Sequence, residues 1–230
     1  MEPGSFFFDG VDSRKYGMMI QTRPIRKPPQ RRRVEATASN RSGTIYRDLG
    51  VYDNSELDLS LVFVTKPDIR TIDEIAALFD TRDYVDFIPY YEPESTYRVM
   101  VSETPEFNNL YHFAKNVWIT DVKLSVYPFK YIVGGLEPIS GGQELNLINQ
   151  GIDTSPQITL VGHGDLRLTV NDIDYHFKNV DSQVTMDSEA LTCTGEMVGL
   201  DYPTLEPGVN KLTTDADHME VIPRYRRRAV

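Results

Sequence analysis

Residues 55–64, Ser55-Glu56-Leu57-Asp58-Leu59-Ser60-Leu61-Val62-Phe63-Val64, decide the fold class. Leu57, Leu59, Leu61 and Phe63 alternate with Asp58, Ser60 and Val62. Successive side chains of a strand point to opposite faces, so a period of two marks a strand with one buried face. Lys66-Pro67-Asp68 ends it. Thr71-Ile72-Asp73-Glu74 then has the spacing of a capping box, and Ile72, Ile75, Ala76 and Phe79 follow helical spacing. A short helix is expected at about 71–80.

Upstream, Phe6-Phe7-Phe8 precedes Asp9-Gly10, a hairpin turn signal, and 16–22 reads as the next strand. Residues 23–47 break the pattern. Pro24, Pro28 and Pro29 remove backbone donors, Arg31-Arg32-Arg33 follows, and the segment reads as an extended arm outside the sheet core. Downstream, strands are expected near 84–91, 96–102, 110–114 and 116–127, with a turn at Asn108-Asn109. Tyr127-Pro128-Phe129-Lys130-Tyr131 closes this half, and Gly134-Gly135, Pro138 and Gly141-Gly142 mark a boundary. The domains are therefore 1–133 and 134–230. Beyond the boundary, short strands with close turns (144–148, 156–161, 165–170, 173–178, 183–187, 190–198, 218–223) indicate a sandwich or barrel. The fold class is mostly β.

Composition agrees. The chain has 230 residues, 40% of them hydrophobic, with 13 Tyr and 10 Phe, which is a folding composition rather than a disordered one. No run approaches the ~20 apolar residues of a membrane helix, so no membrane insertion is expected. Met1-Glu2-Pro3-Gly4 opens no basic-then-apolar leader. The single cysteine, Cys193, excludes an intrachain disulfide framework, and folding in a reducing cytoplasm is the expectation. The net charge of −10 is uneven. Residues 1–47 carry +6 and the four arginines from Arg224 onward carry +4, against −20 on residues 48–223. A basic arm and tail flanking an acidic body favour self-association.

Catalytic signals are missing. His112, His163, His176 and His218 have no zinc-ligand spacing. His163-Gly164-Asp165 reads as a turn, and Cys193 as a small strand residue without a base beside it. No G-x-S-x-G, phosphate-binding glycine loop or H-E-x-x-H occurs. The expectation is no enzyme, no cofactor and no metal. The arginine-rich arm lacks the aromatic interleaving of a single-strand binder, and the acidic body repels phosphates, so no specific nucleic-acid binding is expected. Sugar stacking needs an exposed ring. Trp118 lies in an alternating strand and reads as core, leaving Tyr175 and Tyr202 as weak candidates, with Tyr175 sharing the parity of Ile173 and Phe177.

Phe8-Asp9-Gly10-Val11 with Tyr16-Gly17, and Arg41-Ser42-Gly43-Thr44-Ile45-Tyr46 followed by Asp48-Leu49-Gly50-Val51-Tyr52, resemble the distal tail proteins of long-tailed bacteriophages. So do the 127–131 motif, Asn149-Gln150-Gly151, Ser155-Pro156-Gln157-Ile158, Met186-Asp187-Ser188 and the string from Tyr202-Pro203 through Leu205-Glu206-Pro207-Gly208-Val209-Asn210. Ser42 stands where that family commonly has an acidic residue. The resemblance implies a ring-forming N-terminal domain and a C-terminal galectin-like β-sandwich. It implies a homo-hexameric hub at the phage tail tip, assembled in the bacterial host cytoplasm. Such a hub joins the major tail tube protein to the tail-associated lysin and to receptor-binding proteins, with DNA passing through the ring. The alternative is a carbohydrate-binding, adhesin-like tail module for host-surface glycans. On the ring reading, Arg23, Arg26, Lys27, Arg31, Arg32, Arg33, Arg41 and Arg47 form an inter-subunit interface on an acidic face of the adjacent copy.

Overall fold

The structure is a computed structural model and describes residues 1–37, 42–107, 111–112 and 117–229. It forms two compact units: Met1–Lys130 with Arg228 and Ala229, and Tyr131–Arg227. The expected second domain ran to the chain end, whereas Ala229 lies in the core of the first unit.

The first unit contains β1 (Phe6–Phe8), β2 (Val11–Asp12), β3 (Met18–Ile20), β4 (Arg31–Thr37), β5 (Thr44–Tyr52), β6 (Ser55–Phe63), α1 (Ile69–Leu78), β7 (Val85–Pro89), β8 (Ser95–Glu103), β9 (Tyr111–His112) and β10 (Val117–Ile132). The main sheet runs β2-β1-β7-β8-β10-β6-β3. Asp9 and Gly10, both at positive φ, make the two-residue turn between β1 and β2. The sequence assigned 16–22 to a strand. Residues Ser13–Tyr16 instead form a 3-10 turn closed by Gly17 at φ 63°, which accommodates left-handed backbone.

The alternation in β6 does what its period dictates. Leu57, Leu59, Leu61 and Phe63 are buried, and β6 pairs antiparallel with β10 from Trp118↔Phe63 to Val126↔Ser55. Trp118 packs partly buried against the core. Each buried Leu or Phe contributes about 1.5–3 kcal/mol, and this face anchors the unit. Helix α1 adds Ile75 and Phe79, with the Phe79 ring 4.8 Å from that of Phe8. Its N-cap is Asp68, whose carboxylate accepts from Thr71 N at 2.7 Å. The expected cap at Thr71 is thus three residues late: Asp68 follows the helix-excluding Pro67 and reaches the N3 amide itself. The Asn108-Asn109 turn and most of the strand expected at 110–114 lie outside the described residues.

The second unit contains β11 (Ile139–Gly141), β12 (Glu144–Asn149), β13 (Gln157–Val161), β14 (Gly164–Val170), β15 (Ile173–Val180), β16 (Gln183–Asp187), β17 (Thr192–Cys193), β18 (Glu196–Val198), β19 (Gly208–Thr214) and β20 (His218–Ile222). A last strand, β21 (Arg226–Arg228), pairs with β10, as does β9. Two five-stranded sheets, β11-β20-β13-β16-β17 and β12-β19-β14-β15-β18, form a β-sandwich. Leu168, Phe177, Ile158, Met186 and Val221 from both sheets fill its core. Asn171 and Asp172, at φ 48° and 67°, form the tight turn of the β14–β15 hairpin.

Two motifs quoted from the sequence prove to be structural locks in this unit. Asn149 Nδ2 donates to the carbonyls of Ile152 and Leu205, at 2.8 and 3.0 Å, while its Oδ1 accepts from Gly151 N. Asn210, fully buried, accepts from Glu206 N and Asn171 Nδ2 and donates to the Glu206 carbonyl. A buried amide is stable only when its polar atoms are satisfied in this way.

Candidate assembly interface

The arm begins where β3 ends. Residues 23–30 have no regular structure, since three prolines deny them ladder hydrogen bonds. Their order comes from side chains. Arg26 Nη1 lies 2.5 Å from Glu92 Oε1 and 2.5 Å from the Tyr97 hydroxyl. Lys130 Nζ donates to the other Glu92 oxygen at 2.6 Å, and the Tyr97 hydroxyl donates to that same oxygen. The three charged side chains are only 14–20% exposed. Burial works against the Glu92 charge, but the bonds from Lys130, Tyr97 and Arg26 outweigh it and hold the carboxyl below its ordinary pKa. Burial pushes the neighbouring Tyr91 up to about 12. Its ring lies under two cations, 4.8 Å from the Arg23 guanidinium and 5.5 Å from that of Arg26. The cavity lined by Arg26, Lys27, Tyr91 and Tyr97 is about 10 Å³, too small for more than one water.

Beyond this root, β4 and β5 form a two-stranded sheet of their own among the described residues. The segment expected as an extended arm outside the sheet core takes the form of a β-hairpin separate from the main sheet. The hairpin pairing itself was not read from the sequence, because three arginines in a row hide the β4 alternation. In β5, Ile45, Leu49 and Val51 did carry a readable period of two. The hairpin base is tied down. Arg31 donates to Asp48 Oδ2 at 2.8 Å and to the Tyr52 hydroxyl at 3.1 Å, and Arg32 pairs with Asp53 at 2.7 Å. Tyr52 stands edge-on to Phe129 of β10 at 5.8 Å. Gly50, at φ 76°, forms a bulge whose amide bonds Asp48 Oδ1.

The rest of the hairpin is uncovered. The pairs Val34↔Arg47 and Ala36↔Ile45 share one face; Arg33↔Asp48, Glu35↔Tyr46 and Thr37↔Thr44 share the other. Every described residue of β4 and all of β5 but Tyr52 are exposed, including Val34 at 50% and Tyr46 at 57%. Among the described residues, the side chains of Arg33 and Arg47 make no ion pair or hydrogen bond.

The structure thus separates the eight basic residues singled out in the sequence. Arg23, Arg26, Arg31 and Arg32 have partners within their own unit, and Lys27 lines the root cavity. Arg33 and Arg47 project from the hairpin, and Arg41 lies outside the described residues. Glu92 and Tyr97 escaped sequence reasoning, and Lys130 and Tyr52 were read only as parts of motifs, because a contact such as Arg26–Glu92 spans 66 residues and leaves no local pattern.

In the second unit Tyr175 is 7% exposed and sits in the core, so its ring cannot stack on a sugar. It shares the inward face of β15 with buried Phe177, whereas Ile173, of the same parity, is exposed at the hairpin end. Tyr202 packs half-buried against the same core. His163 is exposed in the turn before β14, and Asp165 accepts from Asn179 N at 3.1 Å, a role in loop geometry. Cys193 is half-buried, opposite Met186. A surface groove of about 390 Å³ on β14 and β15 is lined by Asp165, Arg167, His176, Lys178, Val198 and Asp215, with Leu166 and Phe177 beneath, both buried. Among the described residues no three His, Cys, Asp or Glu side chains gather as metal ligands, and no helix is long and apolar enough to cross a membrane.

No family model matches the chain, and no curated protein does. Among solved structures it is similar to the crystal structure of Dit (gp 19.1) of phage SPP1, described as a paradigm of the hub adsorption apparatus in phages infecting Gram-positive bacteria. The likeness covers 100% of both chains with a TM-score of 0.70, at 14% identity. Over its full length, then, this chain has the fold of a phage Dit protein.

Proposed function

We propose that the chain is a structural, non-enzymatic hub protein of a phage tail tip, whose copies form a six-membered ring around the tail channel. In this reading the first unit builds the ring, and the second unit, Tyr131–Arg227, forms a galectin-like platform facing the adsorption apparatus. The ring joins the tail tube protein to the tail-associated lysin in the virion and is assembled in the host cytoplasm. The observation that carries the reading is the β4–β5 hairpin. An isolated two-stranded hairpin is marginal in water, and unpaired strand edges with exposed Val34, Ile45 and Tyr46 invite a partner. Exposed Arg33 and Arg47, without an ion pair among the described residues, on a chain with an acidic body make a second copy the complementary occupant. The full-length fold likeness to Dit supports the same reading.

The hairpin can be removed cleanly, because Asp53 N donates to the Gln30 carbonyl at 2.9 Å. Residues 31–52 are replaced by two glycines, and mass is measured by light scattering beside the intact protein. The intact chain is expected at six times 26.3 kDa, and the excised chain as a folded monomer. A monomeric intact chain, or a hexamer that survives excision, would overturn the proposal.

A further inference from the structure

We propose that Glu92 is a positioning residue for the arm: by holding Arg26, Tyr97 and Lys130 it fixes the arm root, so that the hairpin leaves its unit in one direction before a second copy arrives. This rests on the reading of the hairpin as the assembly element. Three observations carry it.

First, residues 23–30 have no backbone ladder, so side-chain anchors decide their path. Both Glu92 oxygens are engaged, one by Arg26 and the other by Lys130 and Tyr97. Glu92 lies between β7 and β8, Tyr97 in β8 and Lys130 in β10, so the arm root is joined to three places in the sheet by one carboxylate. Second, the anchor is sheltered: Arg26 and Glu92 side chains are 19% and 20% exposed. Charge-assisted bonds in such a setting are stronger than those of a solvated surface pair. Third, a separate anchor grips the far end of the segment. Arg32 binds Asp53, and the Arg31 guanidinium lies 5.1 Å from the centre of the Tyr52 ring, itself against Phe129. A segment held at both ends has lost its freedom in advance, and docking a prealigned element costs less entropy than docking a loose one.

The sequence supplies a direct probe. The Arg23–Pro24 and Lys27–Pro28 bonds resist trypsin, leaving Arg26–Lys27 as the cleavable bond within 23–30. Trypsin must draw the Arg26 guanidinium into its own acidic pocket, so it competes with Glu92 for the same group. Cleavage then reports how often the clamp opens.

The experiment compares intact chain, Glu92→Gln and Glu92→Asp by mass spectrometry of timed digests, with cuts after Arg33 and Arg47 as internal references. Mass photometry on dilution reads assembly in the same samples. In Glu92→Gln, cleavage after Arg26 should rise roughly tenfold while the hairpin cuts keep their rate, and the assembly should fall apart at higher protein concentration. Glu92→Asp, which keeps the charge, should restore much of the protection. Tyr97→Phe, which removes one hydroxyl and keeps the ring, is the companion variant should Glu92→Gln fail to fold by circular dichroism. Unchanged cleavage after Arg26 in the folded variant overturns the clamp. Faster cleavage with unchanged assembly overturns its positioning role. Assembly that persists after hairpin excision strikes instead at the proposed function, since the clamp would still be read by cleavage.

Discussion

The carbonyl oxygen of Arg226 occupies the space that a Cβ on residue 151 would need, and it accepts a hydrogen bond from the next amide, Ile152 N, at 3.1 Å. Only glycine permits this approach of two backbones. Gly151→Ala is expected to force the β12–β13 turn and the start of β21 apart and to destabilise the second unit by about 1–3 kcal/mol. Urea unfolding of the purified variant measures it. A midpoint equal to that of the unaltered protein would show that the turn shifts freely.

Asp187 and Arg224 make a pH-dependent contact in that unit. Both terminal guanidinium nitrogens, Nη1 and Nη2, donate to the carboxylate, at 2.6 and 2.7 Å, and against the opposing effect of burial they pull the Asp187 pKa down to about 2. An unfolded Asp titrates near 3.9. Because the folded value is the lower one, the stabilisation is complete above the unfolded pKa and is lost as pH falls from there toward 2. The loss amounts to about 2 kcal/mol. Asp187→Asn should therefore be less stable than the unaltered chain at pH 6, with the difference shrinking toward pH 2. Parallel melting curves over that range would refute this.

Helix α1 offers a test of where a cap sits. Asp68 accepts from Thr71 N, so Asp68→Ala should lower the melting temperature, while Asp68→Asn, which keeps an acceptor oxygen, should lower it less. Thr71→Val should cost less than Asp68→Ala. The reverse order would restore Thr71 as the cap.

Assembly through Arg33 and Arg47 should depend on salt. Exposed charges are screened beyond about 8 Å at physiological ionic strength. Raising sodium chloride should therefore shift the self-association midpoint to higher protein concentration, and Arg33→Ser combined with Arg47→Ser should weaken both the association and its salt dependence. Both residues are exposed and unpaired among the described residues, so the melting temperature of the monomer should stay constant. Analytical ultracentrifugation in a salt series distinguishes this from an association driven by Val34 and Ile45 alone, which salt would leave intact or strengthen.

What the sequence by itself determined is whatever a local period or a local turn encodes. The β6 core face, the Asp9-Gly10 and Asn171-Asp172 turns and the inward parity of Tyr175 depend on neighbours one to four residues apart. Backbone geometry translates that spacing directly into a face or a reversal. Strand β19 escaped because one of its two buried positions is Asn210, a polar residue that only a completed network makes stable inside, which leaves Leu212 alone as an apolar signal. The arginine-rich arm was legible as a segment but not as a hairpin with a clamped root. Its charges looked alike in sequence, yet Arg26 is consumed by Glu92 while Arg33 and Arg47 make no ion pair or hydrogen bond among the described residues. That difference depends on which strands the sheet brings beside residue 26, and a contact across 66 residues exists only once the sheet has formed. Tertiary structure alone therefore decided which arginines hold the arm.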